Sequence, residues 1–419
     1  MNTSIPYQIR RFSFFLLGVL LFIFLTPKVD RTLGDFVIVP LAGLYLATQW
    51  KAFRNVSTRN LCTIGLAGGY LAMVLGYRLL GPSDLSLTVF CAILKFYLCF
   101  VFIVPLRGTL RTGEVYYLLG VAIVSMLVSM AYNVHLKGFY GSLYSMRAFR
   151  EESIQGIINT QYTTSIMLAS GAFLVAVLHA RTFRRRMLFL ALFAACVYFN
   201  LTVGQRGIIF FLSFLLYGLI FVFNKPIDKS RFLRVFALAV LGLALLAKAD
   251  SILGWLAENV PSPRLQVRIE AVQDMLSHKT VTAYGGSFSR RMELVRTSWE
   301  TFWASPQNFL LGVGDIRRNN ILIGNHSHFA DELARYGLFG GLLSFWLLFR
   351  LLRFVRSLAA PAPRSPLDRQ LLCIFFVLLL RCFIGSVVET TNGVQLFFTI
   401  PLLFRLLQHE DGWGRRVVA

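Results

Sequence analysis

Charge is scarce in this chain of 419 residues: 15% are Asp, Glu, Lys or Arg, where soluble domains carry roughly 25%. Acids are scarcer than bases, 20 against 42. Apolar runs take the place of the missing charge, which excludes an ordinary water-soluble globule. Patterned cysteine is lacking too. Cys62, Cys91, Cys99, Cys196, Cys373 and Cys382 lie inside or at the edges of apolar runs, and none falls in the polar stretch 249–335. No CxxC or Cys/His spacing occurs. A disulfide framework in that stretch is therefore not expected, and the cysteines read as small buried apolar groups.

What is abundant is hydrocarbon: 56% of residues are hydrophobic and the mean hydropathy is +0.64. A membrane core needs roughly 20 apolar residues per helix. About twelve runs approach that length, near 12–26, 36–50, 61–80, 85–106, 115–133, 161–180, 187–203, 207–223, 232–248, 336–352, 369–388 and 393–408. The expected fold is an all-α polytopic integral membrane protein with about twelve transmembrane helices. The start, "MNTSIPYQIRRFSFFLLGVLLFIFL", resembles a signal peptide but lacks a small-residue cleavage site, so it is expected to stay as the first span.

A net charge of +22 raises nucleic acid as a partner. The arginines, however, sit in short loops between apolar runs, which is the pattern of membrane topology and anionic-lipid contact. No nucleic-acid partner is expected. Lys and Arg concentrate in alternate short loops: Arg10 and Arg11; Lys51, Arg54 and Arg59; Arg107 and Arg111; Arg181 to Arg186; Lys225 to Arg231; Arg353 to Arg369; Arg415 and Arg416. That bias predicts both termini cytoplasmic and two long outer loops, 134–160 and 249–335. The predicted organisation is 1–248 with nine spans, 249–335 as a helical periplasmic loop carrying the functional residues, and 336–419 with three spans.

The outer side holds the chemistry. Arg206, in "TVGQRG" between two spans, defies the charge asymmetry, and a lone cation there reads as functional. Within the loop, "PRLQVRIEAVQDML" spaces Leu265, Ile269, Val272 and Leu276 as a surface-lying amphipathic helix, with Arg264 and Arg268 on a neighbouring stripe. "GGSFSRRMELVRTSWETF" reads as a second helix with Arg290 and Arg291 near its start, and "LLGVGD" as a turn. Guanidinium groups there suit a lipid-linked phosphate or pyrophosphate, since they bind its oxygens bidentately. For Arg264, Arg268, Arg317 and Arg318 individually, a solvated face or contact with anionic lipid headgroups is the favoured reading.

His326 stands just ahead of the helix that enters the tenth span, with Asp331 and Glu332 in its first turn, where the helix dipole favours acids. A helix N-terminus and nearby arginines favour the neutral imidazole, able to act as a base; a histidine that only satisfies backbone groups is the plainer alternative. His326 and His328, two apart, point to different sides of a helix, and no acid or Cys completes a tetrahedral set, so no metal is expected. Gly337, Gly340 and Gly341 would permit close helix–helix approach.

These residues resemble the O-antigen ligase and polymerase superfamily. Its pattern is a His, then Asn, Ser or Gln, nine residues, Gly, two residues, Gly; here it is His326, Ser327, Gly337 and Gly340. Arg206-Gly207 matches the family's Arg-Gly after a span. "RRMELVRTSWETFWASPQNFLLGVG" matches its arginine-before-acid and P-x-x-x-L-x-G-x-G stretch, with Arg291 or Arg290 in the arginine place. Leu294 or Val295 stands where the family often has Trp. The resemblance covers about residues 190–345, and length and span number look most like its lipopolysaccharide O-antigen ligases.

The resemblance implies a fold of the glycosyltransferase-C type in the bacterial inner membrane. It implies an inverting, metal- and cofactor-independent transfer of O-antigen polysaccharide from undecaprenyl pyrophosphate to lipid A–core at the periplasmic face. Arg206 and Arg291 (or Arg290) would hold the pyrophosphate, with Arg264, Arg268 and His328 as possible support. His326 would accept or orient the acceptor proton, and Gly337 and Gly340 would pack the helix. An O-antigen polymerase or a protein O-oligosaccharyltransferase keeps the chemistry and changes the acceptor. A lipid-linked glycan transporter would place ionisable groups at mid-membrane; here Lys95, Arg78 and Arg381 are few and near span ends.

Overall fold

The computed structural model describes residues 7–26, 35–80, 87–140, 162–200, 207–224, 254–255, 258–259, 286–314, 323–324, 327–359, 362–383 and 385–410. All regular structure among them is helical. In chain order the helices are α1 (Tyr7–Leu25), α2 (Asp35–Phe53), α3 (Thr58–Leu80), α4 (Leu87–Ile103), α5 (Thr112–Tyr140), α6 (Tyr162–His179), α7 (Phe183–Phe199), α8 (Gly207–Val222), α9 (Gly286–Trp303), α10 (Pro306–Leu311), α11 (His328–Ala359), α12 (Pro366–Cys382), α13 (Thr390–Val394) and α14 (Ile400–Glu410). Five are long and apolar enough to cross a membrane: Tyr7–Leu25, Thr58–Leu79, Thr112–His135, Tyr162–His179 and His328–Ala359. Phe90–Leu106 and Phe211–Val222 are shorter apolar helices. The chain is an all-α membrane protein. The run expected at 232–248 lies outside the described residues. All six cysteines are free, and five are buried as expected; Cys62 is exposed.

The chain divides into two compact units. The larger comprises residues 1–220, 342–379 and 387–419. Its centre is α6, in which every residue from Tyr162 to Ala176 is buried; a helix apolar on all sides is a core helix. Small polar groups in it are bonded locally or across. Ser165 Oγ donates to the Thr391 carbonyl at 3.2 Å, and Ser170 Oγ lies 2.7 Å from Tyr217 Oη. Gly171 leaves room for Leu216 of α8. Phe96 and Phe100 of α4 pack against Phe397, edge-on and tilted, with ring centroids 5.6 and 5.7 Å away. By contrast, Leu342, Trp346 and Phe349 form an exposed stripe at three-to-four spacing along α11, which is how a helix presents itself to lipid.

Helix ends in this unit are closed by side chains. Ser365 Oγ accepts the Asp368 N–H at 3.1 Å and so caps α12, with Pro366 at the first helical position, where its missing N–H costs nothing. Asp368 accepts both Arg356 Nε and Nη2 at 2.7 Å and the Arg364 N–H at 3.0 Å. Arg364 itself has a φ of 63°. One buried carboxylate thus fixes the whole α11–α12 turn. Replacing Asp368 with Ala strands a cation and an N–H, and is expected to lower stability by about 2 kcal/mol; Arg356→Ala, removing a half-exposed partner, is expected to cost about half as much. Thermal unfolding in detergent checks both.

Candidate functional site

The second unit comprises residues 221–341 and 380–386. Arg206, Arg264, Arg268, Arg317, Arg318 and His326 lie outside the described residues. Arg290 and Arg291 fall in the first two turns of α9, with the backbone alone described. The expected helix at "GGSFSRRMELVRTSWETF" is present as α9; of the expected turn at "LLGVGD", Leu310 and Leu311 are the end of α10, Gly312 and Gly314 leave the helical path at φ 77° and 70°, and Asp315 lies outside the described residues.

Helix α11 is two helices. Its φ at Gly337 is 64° and its ψ −168°, so the helical path stops there. The first part, His328–Tyr336, is nine residues and precedes the membrane-length run Leu338–Ala359. Both ends of this short helix are capped. At its start, Ser327 Oγ accepts the Ala330 N–H at 3.1 Å, the N-cap bond that satisfies one orphan donor. Asp331 Oδ2 reaches back to accept the Ser327 N–H at 2.9 Å. At its end, the carbonyls of Ala334 and Arg335 accept the N–H groups of Val313 and Gly314 at 3.0 and 2.8 Å. The 312–314 turn therefore caps the helix from outside.

That docking explains two glycines. A Cβ on Gly337 would strike the Leu310 carbonyl, and one on Gly312 would strike the Arg335 carbonyl. Gly337 was expected to serve close packing between spans. The approach is close, but its partner is the backbone at 310–312, and the conformation itself requires glycine. Gly340 is buried. Gly341 meets Leu333, eight residues earlier, a contact that a straight helix cannot make at 1.5 Å per residue.

Sequence reasoning gave Asp331 only a role in the helix dipole and did not single out Ser298. The structure joins them. Ser298 Oγ donates to Asp331 Oδ1 at 2.6 Å and accepts the Gly324 N–H at 2.9 Å. Ser298, Asp331 and Ser327 are 0%, 4% and 1% exposed. One serine–aspartate pair thus holds the N–H of Gly324 on one side and of Ser327 on the other. Gly324 also lies so close to the Leu294 carbonyl that a Cβ would collide with it. This clamp fixes the backbone at Gly324 and at Ser327. Nearby, Phe329 stacks on Phe383 at 5.2 Å and meets Trp299 at a tilt at 5.9 Å, and Ser327 Oγ approaches the Cys382 carbonyl at 3.4 Å.

Within the clamp, the Asp331 carboxylate accepts the Ser298 hydroxyl on one oxygen and the Ser327 N–H on the other. His328 is 5% exposed, an enclosed side chain that suits a structural part better than contact with a charged substrate. Glu332 lies 3.7 Å from Arg335 on the same helix. Among the described residues, no three His, Cys, Asp or Glu side chains converge on one point.

No family model matches the sequence, and no curated protein matches it. Gly337→Ala is expected to destabilise this unit by 3 kcal/mol or more, since the positive φ and the carbonyl collision add. Hydrogen exchange at Val313 and Gly314, whose N–H groups cap the short helix, should accelerate with it; unchanged protection there would contradict the docking described.

Proposed function

We propose that the chain is an O-antigen ligase: an inner-membrane glycosyltransferase with about twelve spans and cytoplasmic termini, its site facing the periplasm. It transfers polysaccharide from undecaprenyl pyrophosphate to lipid A–core. The observation that carries this reading is the match between the His326-Ser327-x9-Gly337 spacing and the capped helix. Ser327 is its N-cap, the nine intervening residues are its length, and Gly337 is the positive-φ residue that ends it. Each position in the motif thus has a physical reason, and the histidine position falls directly ahead of the cap, between the two clamped N–H groups.

In this reading the acceptor hydroxyl oxygen bonds to the anomeric carbon from the side opposite the phosphate. The carbon–oxygen bond to pyrophosphate breaks, and its electron pair leaves with undecaprenyl pyrophosphate. His326 takes the hydroxyl proton. A pyrophosphate leaving group needs charge neutralisation more than protonation, and fixed guanidinium groups supply it. Arg206 and Arg291 are assigned that part. Helical periodicity favours Arg291 over Arg290: position 291 is seven residues before Ser298 and within roughly 20° of its direction, whereas 290 is turned by roughly 80°. Ser298 and Asp331 are positioning residues, acting through the backbone on either side of His326.

The test is the lipopolysaccharide ladder in a host lacking its own ligase. Wild type is expected to restore the ladder, His326→Ala to abolish it and His328→Ala to retain it. Arg291→Ala should lose far more than Arg290→Ala. Ser298→Ala should slow transfer about tenfold, the loss of one or two buried hydrogen bonds expressed at the barrier, with normal amounts of protein in the membrane. If wild type restores no ladder but changes the length of lipid-linked glycan, the chain is a polymerase. If His326→Ala behaves as wild type, the assigned mechanism is wrong.

A further inference from the structure

At the start of α1 and α5 the larger unit holds a cavity of about 350 Å³, lined by Tyr7, Arg10, Arg11, Phe14, Phe15, Arg111, Gly113, Glu114 and Tyr117. Its charges are unbalanced: three arginines and one carboxylate leave two positive charges on the lining. The single acid is already engaged in the wall. Glu114 Oε1 accepts Arg10 Nε at 2.5 Å and Oε2 accepts Arg10 Nη2 at 2.7 Å, while Oε2 also takes the Arg111 N–H at 2.8 Å. Arg10 is further tied to the Thr109 carbonyl at 2.5 Å. This pair locks α1 to α5 and fixes the cavity floor. Arg11 and Arg111 are exposed, the former with its guanidinium 5.4 Å from the centre of the Tyr7 ring. Phe15 and Tyr117, 58% and 41% exposed, add an aromatic rim.

We propose that this cavity holds the phosphate of an anionic phospholipid, with Arg11 and Arg111 on its oxygens and the aromatic rim against its glycerol and upper acyl carbons. Three features point there together. Arginine is suited to phosphate oxygens by its planar fork. A cavity of this size fits a headgroup. The two helices that form it both begin here and are both long and apolar enough to cross a membrane, so the cavity lies at span ends, where tyrosine and arginine meet headgroups. A soluble phosphate compound would leave Phe15 and Tyr117 without a hydrocarbon partner. The inference does not depend on the activity proposed above.

Native mass spectrometry of the full chain in detergent, titrated with phosphatidylglycerol or phosphatidylcholine, tests it. Wild type is expected to retain one phosphatidylglycerol at least about tenfold more tightly than phosphatidylcholine, and R11Q/R111Q to lose that preference, since each basic residue at such a surface adds to the attraction for anionic lipid. R11K/R111K, which keeps the charge, should retain part of it. Both variants leave the Arg10–Glu114 pair intact and should melt as wild type does. Equal retention of phosphatidylglycerol by wild type and R11Q/R111Q overturns the proposal. So does displacement of bound phosphatidylglycerol from wild type by inorganic phosphate, which would make free phosphate the occupant.

Discussion

The hydrogen bond from Ser298 Oγ to Asp331 Oδ1 is the contact on which the second unit's local order depends. Its two members come from different helices, and each spends its remaining capacity on a backbone N–H. In a site with almost no exposure, an unmet N–H or carboxylate oxygen costs several times what an average hydrogen bond contributes. The pair therefore does more than join α9 to α11. It defines where the chain enters at Gly324 and where the short helix starts at Ser327, and it leaves two residues between those points. On the reading proposed above, fixed ends of this kind are what pre-orients the residue they flank, since small misplacements are expensive at the barrier.

The other end of the same helix shows the complementary device. There the polar groups to be served are carbonyls, those of Ala334 and Arg335 among them. The turn at 312–314 supplies N–H groups. For backbone to approach backbone so closely, neither chain can carry a Cβ, hence Gly312 and Gly337 facing each other's carbonyls. The nine-residue helix is held between a side-chain cap and a backbone cap. A helix this short is marginal by itself; its persistence is a property of the two caps.

Much of this was legible from sequence, though unevenly. Hydropathy located the helices, because a membrane-length apolar run has few alternatives to helix. The N-terminal signals of α11 were legible as well, since capping chemistry is local: Ser327 and Asp331 lie within five residues. Ser298 was not, because one serine in an amphipathic helix, 33 residues from Asp331, leaves no periodic or compositional trace. Gly337 was half legible. Its spacing marked it as special, but small-residue packing and positive φ produce the same letter, and choosing between them requires seeing the 310–312 backbone. Arg290 and Arg291 are equivalent to a motif and are separated only by the phase of α9.

The scarcity of acid in this chain has a structural counterpart. Glu114, Asp331 and Asp368 share one arrangement: each lies near the start of a helix and reaches back to the N–H of Arg111, Ser327 or Arg364. Each also holds a second group from another helix, namely Arg10, Ser298 or Arg356. These carboxylates are thus knots, each closing a helix and fastening a neighbour. A knot of that kind consumes its charge internally. With 42 basic residues and 20 acidic ones, such pairing leaves most of the cations to be neutralised by something other than protein. The groups that meet that need at a membrane are phosphates, whether on a lipid headgroup or on a lipid-linked pyrophosphate. The imbalance is therefore a property of the chain's surroundings written into its composition. On the two proposals made above, phosphate is the group that takes up the cations these acids leave over.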